Sequence, residues 1–532
     1  MLFTLVIDVL NSLMLHAMTT GLLRRLSANI DAPCVSLYAD DVAIFCHPSL
    51  DQLLTIRAIL QVFGHASRLH TNFIKSSAAP IHCTEDDTTN VVTVLSCPLA
   101  QFPLQYLGLP LSVRKVPSLV LQPLLDRMVK KFPSWRASML SRGERLAFVR
   151  HILTAMPTHI LMAMVICKPV LKRINRIIRD FLWHGRRDAN GGHCLVNWQR
   201  VCRPLEYGGL GVLDLHRFGI ALRTRWQWLQ RTDTTRPWAL LPLPNDPEAN
   251  AIFRASTFWR LGDGCSCLFW EDRWLHGQCV ADFAPHLVPL VPRRCRRACT
   301  VAEGLAGRAW IRHIQAALTP HATVEYVELW RRLQPLTPID QPDRLLWRWT
   351  ENGTYTAKSC YMALFAGSVR APHWKLTWRS WAPLRVKFFA WLALQDRCWK
   401  AARLARHGLP HHAACVLCDQ EMETMEHILV ACPFSRQVWH DCFSWCHHHA
   451  LAPTSDVHFL DWWHDTTAAA PAALRKGTAS IIILAAWLIW KHRNSCVFDG
   501  TTPSTSRLLH DIQEEARAWA KAGANGLAAL LP

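Results

Sequence analysis

The narrowest constraint on how this chain can fold is a run of metal-ligating side chains. Cys415, Cys418, His427 and Cys432 are spaced C-x₂-C-x₈-H-x₄-C within 18 residues. A C-x-x-C knuckle places two thiolates on one side of a Zn²⁺, and a His and a Cys on the next turn close the tetrahedron. Four protein ligands leave no open position, so such a site is structural and not catalytic. Chance clustering is the bland alternative in a chain with 20 Cys, but four ligands in one short window favour metal. The N-terminus, MLFTLVIDVL, has no basic lead and carries Asp8, unlike a secretory signal. Reduced thiols, not a disulfide framework, are therefore expected. Cys442, Cys446 and His447–His449 make a rival ligand set, ranked lower because a His run is more often a solvated loop. Asp419, Gln420, Glu421 and Glu423 make the knuckle look small and polar, so metal is expected to supply much of its local folding energy. The apolar run Val386–Leu394 is expected to pack against it.

A second constellation is CVSLYADDVAIFC, Cys34–Cys46. Val35 and Leu37 alternate with polar or small residues, as do Val42 and Ile44, which predicts two short strands joined at Ala39-Asp40. Nucleotidyl transfer uses two Mg²⁺ held by carboxylates that lie close together, and a rigid hairpin turn can present Asp40 and Asp41 in that way. A bare Asp pair is weak evidence, because acidic turns are common on surfaces. Apolar strands on both flanks make this one more specific.

Charge adds a partner class. The chain has 59 Lys and Arg against 40 Asp and Glu, a net charge of +19 spread widely. Such an excess attracts a polyanion, with nucleic acid the most natural one. The 25 Trp are read chiefly as packing anchors rather than base-stacking platforms. Ile481–Trp490, the most apolar run, is too short to span a bilayer and predicts a buried helix, so no membrane role is expected.

Along the chain, helical spacing covers Met1 to about His16 and Leu50 to Leu69. Asn72–Lys75 looks strand-like. Pro117–Trp183 is mostly helical and basic, carrying Lys130, Lys131, Arg142, Arg145, Arg150, Lys172, Arg173, Arg176 and Arg179. Residues 200–370 are rich in Trp, Pro and Arg without a clear period, which suggests short helices and loops. An Ala-rich linker is expected near 467–474, followed by terminal helices.

Tyr38-Ala39-Asp40-Asp41 in a hairpin resembles the signature motif of reverse transcriptases, and its surroundings resemble the plant LINE-type (non-LTR) retrotransposon enzymes in order and spacing. LFTLVIDVLN is similar to the helix after their dNTP-contacting loop. SRLHTNFIKSS is similar to their "GLKIN..KS" segment, with Lys75 at the lysine position. YLGLPLS resembles their primer grip. WRASMLSRGERLAFVRHILTAMPTHI resembles their thumb-like segment, although Arg142-Gly143-Glu144-Arg145 departs from the usual "GGR". FLWHG with LVNWQRVCRPLEYGGLGVLDL resembles "FLWGG … W..VC.PK..GGLG", and GDGCSCLFWEDRWL another recurrent block. WRSWAPLRVKFFAWLALQDRCW and CPFSRQVW, flanking the knuckle, look like the plant reverse-transcriptase zinc-binding domain. WLIWKHRNSCVFDG resembles "W.IWK.RN...F.G", after which longer relatives carry an RNase H-like domain; no acidic RNase H set is read here.

The resemblance implies an α+β chain: a truncated palm (1–115), a thumb-like helical region (116–195), a Trp/Pro-rich connector (196–370), a zinc-binding domain (371–450) and a C-terminal helical segment (475–532). It also implies Asp40 and Asp41 as catalytic carboxylates and Lys75 as a nucleotide contact, while the basic run from Lys130 to Arg179 adds Lys130, Lys131 and Arg145 as expected nucleic-acid contacts. The expected metals are structural Zn²⁺ on Cys415, Cys418, His427 and Cys432, and Mg²⁺ only if the polymerase site is completed. The family's palm carries an upstream Asp that shares both metals, and few residues precede Tyr38. Asp8, in a helical stretch, is a poor substitute. Half of a two-metal site holds Mg²⁺ poorly, so a remnant RNA-directed DNA polymerase, inactive alone, is expected. The alternative is a nonenzymatic, zinc-bearing protein that binds nucleic acid or another partner. Weak binding to an RNA template or DNA, an intracellular protein and, by resemblance, a nuclear one complete the expectations.

Overall fold

A computed structural model describes residues 2–26, 34–132, 139–185, 194–236, 238–372, 374–412, 414–447 and 452–532. Residues 133–138, which open the thumb-like block, and His448 and His449 of the rival ligand set lie outside them. In chain order, α1 (Leu2–Thr19) precedes a hairpin of β1 (Val35–Tyr38) and β2 (Asp41–Ile44). Then come α2 (Leu50–Ser67), α3 (Glu85–Leu95) and a second hairpin, β3 (Leu104–Tyr106) with β4 (Leu109–Leu111). The middle holds α4 (Arg142–Phe148), α5 (Lys168–His184), α6 (Leu215–Thr232), β5 (Thr257–Arg260), α7 (Pro320–Leu333) and β6 (Arg344–Trp347). The last part holds α8 (Leu384–Leu394), α9 (Pro433–Trp445), α10 (Phe459–Ala469), α11 (Arg475–Phe498) and α12 (Thr505–Lys521). The chain is mixed α+β and mostly helical, with three two-stranded antiparallel sheets among the described residues.

These elements form two compact units of interleaved segments: residues 1–122, 159–167 and 216–366 in the first, and 123–158, 168–215 and 367–532 in the second. In the first unit, Leu10, Met14 and Ala17 of α1 recur at helical spacing and meet Ile56, Leu60 and Phe63 of α2 in one core, on which Val35, Val42 and Ile44 of the hairpin rest. The pairs Val35↔Ile44 and Tyr38↔Asp41 fix the register and leave Ala39-Asp40 as a two-residue turn, with Ala39 at a φ of 54°. In the second hairpin the turn falls on Leu107-Gly108, both at positive φ. Gly108 meets that demand without strain, as such a primed turn requires. The Ser36 hydroxyl and the Tyr106 phenol lie 3.2 Å apart and join the two hairpins. Asn72–Lys75 is a turn, not the expected strand. The Lys75 N–H reaches both the Asn72 carbonyl and its side-chain oxygen, each at 3.2 Å, a local bond that competes with strand pairing.

The Trp-rich middle builds a core of its own around Phe269, Trp270, Trp274, Trp310 and Leu329. Its GDGCS loop wraps one carboxylate: Gly262 and Gly264 N–H groups donate to Asp343 at 2.7 and 3.0 Å, and Ser266 N–H at 2.9 Å. The Trp side chains here pack inward, as their apolar context implies.

In the second unit α8 packs on α4 and α11. Gly143 allows the first contact, because a Cβ there would stand 2.4 Å from the Arg385 nitrogen. Ser141 and Glu144 cap that helix reciprocally. Ile481–Trp490 lies within α11 and is buried apart from a half-buried Trp487. No helix among the described residues is long and apolar enough to cross a membrane. The expected Ala-rich linker is shorter than 467–474: α10 runs to Ala469, with Thr467 buried, and the connection is the turn at 470–474.

Candidate metal centre

The Cys415–Cys418 turn is tight. Asp419 N–H donates to the Cys415 carbonyl at 2.7 Å, and Cys415 N–H donates to the Glu421 carbonyl at 2.7 Å. Asp419 takes a φ of 54° to close the knuckle. The other two ligands come from a π-helical turn, His427–Ala431, followed by Cys432 as the N-cap of α9. Five residues make about 1.4 turns of an α-helix, which would set Cys432 well away from His427. The wider i→i+5 winding returns it beneath His427, and Cys432 N–H donates to the His427 carbonyl at 2.8 Å. The Ser435 hydroxyl donates to the Ile428 carbonyl at 2.6 Å and the Trp439 indole N–H to the Leu429 carbonyl at 2.7 Å, so the carbonyls of the turn find partners. These bonds give the CPFSRQVW block a local role.

The one ligand atom each from Cys415, Cys418, His427 and Cys432 all lie within 4.8 Å of one another. Cys418 Sγ stands 3.3 Å from His427 Nε2. Tetrahedral zinc with bonds of about 2.0–2.3 Å sets its ligands about 3.3–3.8 Å apart. The widest pair is thus looser than a bound set and looser than the roughly 4 Å expected from the spacing, by a margin that side-chain rotation can close. His427 Nδ1 lies 3.1 Å from a Glu421 oxygen, leaving Nε2 to face the sulfurs; such a partner fixes ring orientation and tautomer at metal sites. Cys415 and Cys432 are fully buried and His427 nearly so. The proton pattern reflects crowding. The Cys415 thiol is pushed up to about 12, first by its hydrogen bond to Cys432 and then by burial. His427 is raised to about 9, chiefly by its bond to Cys415. Cys432 is lowered by accepting from Cys415. Three thiols and an imidazole sharing protons is the arrangement a Zn²⁺ would replace, so donor set and geometry fit that ion.

One expectation is corrected around the knuckle. It is not simply polar: Ile428, Leu429 and Val430 are buried, and the π turn packs on α9 and α11. Glu423, one of the residues that make the knuckle look polar, is 2% exposed and forms a bidentate ion pair with Arg493 of α11. Glu423 also accepts from Ala401 N–H at 2.7 Å, and Arg493 donates to the Trp399 carbonyl at 3.3 Å. The two lie 70 residues apart, beyond any local spacing rule. Only the "WKHRN" block hinted at Arg493. In the rival set, Cys442 and Cys446 bond each other inside α9 and its cap.

Elsewhere, Asp40 and Asp41 are exposed at their turn, and Asp8 is exposed on α1. Among the described residues no other group of three or more His, Cys, Asp or Glu converges as the zinc set does. Lys75, Lys130 and Lys131 are exposed. Arg145 is turned inward, 9% exposed, donating to the Trp183 carbonyl at 3.4 Å. Arg150 likewise bonds the Leu210 carbonyl, and burial lowers its pKa to about 10.

Residues 355–439 match the family described as zinc-binding in reverse transcriptase, a segment that contains all four ligands. The chain is also similar to an Arabidopsis thaliana protein named "Putative ribonuclease H protein", 23% identical over 415 residues. That similarity covers 72% of this chain and 65% of the relative.

Proposed function

We propose that this chain is a remnant of a LINE-type reverse transcriptase in which a Cys₃His domain, closed by one structural Zn²⁺, supports a surface that binds nucleic acid. The observation that carries this reading is the convergence of Cys415, Cys418, His427 and Cys432 inside the segment that matches a reverse-transcriptase zinc-binding family. Zinc would hold the knuckle to the π turn; Glu421 orients His427, and the Glu423–Arg493 pair ties the knuckle to α11.

The β1–β2 hairpin is read as the palm hairpin, with Asp40 and Asp41 at its tip and the β3–β4 hairpin beside it through Ser36 and Tyr106. Two carboxylates alone do not fix two Mg²⁺. Primer extension on an RNA template with Mg²⁺ and dNTPs is expected to yield no product from this chain, and Asp40→Ala to change nothing. Template-dependent product lost in Asp40→Ala would overturn that reading.

Nucleic-acid binding is expected to be sequence-independent and salt-dependent. Exposed Lys75, Lys130 and Lys131 are available for phosphates, whereas Arg145 and Arg150 are committed inside. Each phosphate neutralised contributes about 0.9 to the slope of log affinity against log salt on a duplex. Charge reversal at Lys130 and Lys131 together is expected to lower the slope by about 2. An affinity that is flat between low and moderate salt would exclude this mode.

A further inference from the structure

Within the second unit, a cavity of about 520 Å³ lies among α4, α8 and α11. Its size falls in the range of about 300–1,000 Å³ usual for small-ligand sites. Its walls are aromatic: Phe388 and Phe389 from α8, and Trp487 and Trp490 from α11. Phe389 and Trp490 stack at 6.0 Å between ring centres, and Phe389 tilts against Trp487 at 5.1 Å. Phe498, 67% exposed, brings the cavity to solvent. Arg142 and Arg397 line the same cavity. Arg385, also there, is paired with Glu515 at 3.5 Å, whereas neither Arg142 nor Arg397 faces a carboxylate within ion-pair reach among the described residues. Burial lowers the pKa of Arg142, and the nearby Cys398 thiol pulls it the other way.

An aromatic floor with unpaired guanidinium groups is complementary to a flat ring that carries a phosphate. We propose that this cavity takes one unpaired nucleobase of a single-stranded nucleic acid, stacked against Trp487 and Phe498, with the adjacent phosphate on Arg142 and Arg397. Every base has a π face, so such a site tolerates sequence while it discriminates single strands from duplexes. Duplex bases are stacked on their neighbours and cannot enter. The net charge of +19 draws the polyanion in, and the cavity supplies what charge alone lacks: dependence on an exposed base. This inference rests on the nucleic-acid reading above and assigns it a place.

The test uses the full zinc-loaded chain and fluorescein-labelled oligothymidylate, oligouridylate, an abasic strand with the same number of phosphates, and a duplex, followed by anisotropy. Wild type is expected to bind both oligopyrimidines more tightly than the abasic strand. Phe498→Ala removes an exposed ring, so the fold should stand. It is expected to weaken single-strand binding by roughly 5- to 100-fold, in keeping with the loss of one base–aromatic stack, and to leave the abasic strand and duplex unchanged. Arg142→Gln with Arg397→Gln should weaken the single strands and flatten their salt dependence, with zinc content unchanged. Equal affinity for base-bearing and abasic strands, or no effect of Phe498→Ala, would overturn the cavity while leaving charge-driven binding intact. Binding to neither strand at low salt would remove both. A preference of oligouridylate over oligodeoxyuridylate of the same length, which differ only at the 2′ position, would identify RNA as the natural strand, and the reverse would identify DNA.

Discussion

Purified from zinc-replete medium, the chain is expected to carry one Zn²⁺, and Cys418→Ser to carry close to none, by elemental analysis of the intact protein. A structural zinc closing a Cys₃His set binds with an apparent free energy of about 10–16 kcal/mol in small zinc peptides near neutral pH, so no other single change in this chain should have a larger effect. The damage should not be uniform. Cys415–Glu421 is held by three backbone bonds, to which the metal is expected to add, so without it this loop should open. Ile428, Leu429 and Val430 remain buried on α9 and α11, and should keep the π turn collapsed. Limited proteolysis of Cys418→Ser should therefore cut within 415–424 before it cuts α9. Cys442→Ala supplies the contrast, because Cys442 bonds Cys446 and lies outside the cluster; it should retain the metal. Full zinc content in Cys418→Ser would sink the site, and loss of zinc in Cys442→Ala with an intact fold would move it to the rival cysteines.

The second large effect is expected at Arg493. Both it and Glu423 are almost wholly buried, and removing one member of such a pair strands the other charge at a cost of about 3–5 kcal/mol. Arg493→Met and Glu423→Gln should each lower the urea midpoint of the second unit, read by Trp fluorescence, without changing any zinc ligand. The double change Arg493→Met with Glu423→Leu removes both charges. It should cost less than Arg493→Met alone, although Ala401 N–H then loses its acceptor, a penalty of about 1–3 kcal/mol. A loss below about 1 kcal/mol in Arg493→Met would mean that water reaches the pair and that α11 is not anchored there.

The convergence of Cys415, Cys418, His427 and Cys432 was legible because they sit within one short window, where spacing alone restricts geometry. The β1–β2 hairpin was legible for the same reason: four apolar residues alternate about a two-residue turn, and a slip by one residue would turn Val35, Val42 and Ile44 away from the α1–α2 core. The strand expected at Asn72–Lys75 failed because an Asn side chain closed a local turn that no alternation pattern records. Arg145 was read as a contact for nucleic acid from charge alone, yet its helix face points inward. Basic residues on an amphipathic helix are sorted by what packs on them, and that information lies in other segments.

By itself, then, the sequence determined the local features: the Cys₃His ligand set, the Ala39-Asp40 turn, the buried α11 and the positive charge. Tertiary structure decided which of those features are joined. Glu421 orients His427 only once the knuckle folds back, and Glu423 becomes a buried ion-pair partner only when α11 arrives from 70 residues away. Phe389 meets Trp487 and Trp490 only because Gly143 lets α8 settle against α4 while its other side meets α11. The physical reason is one of range. Turn chemistry, ligand spacing and periodicity act over a few bonds and leave marks in adjacent residues, whereas burial and charge pairing depend on surfaces that the chain brings together only after it has folded.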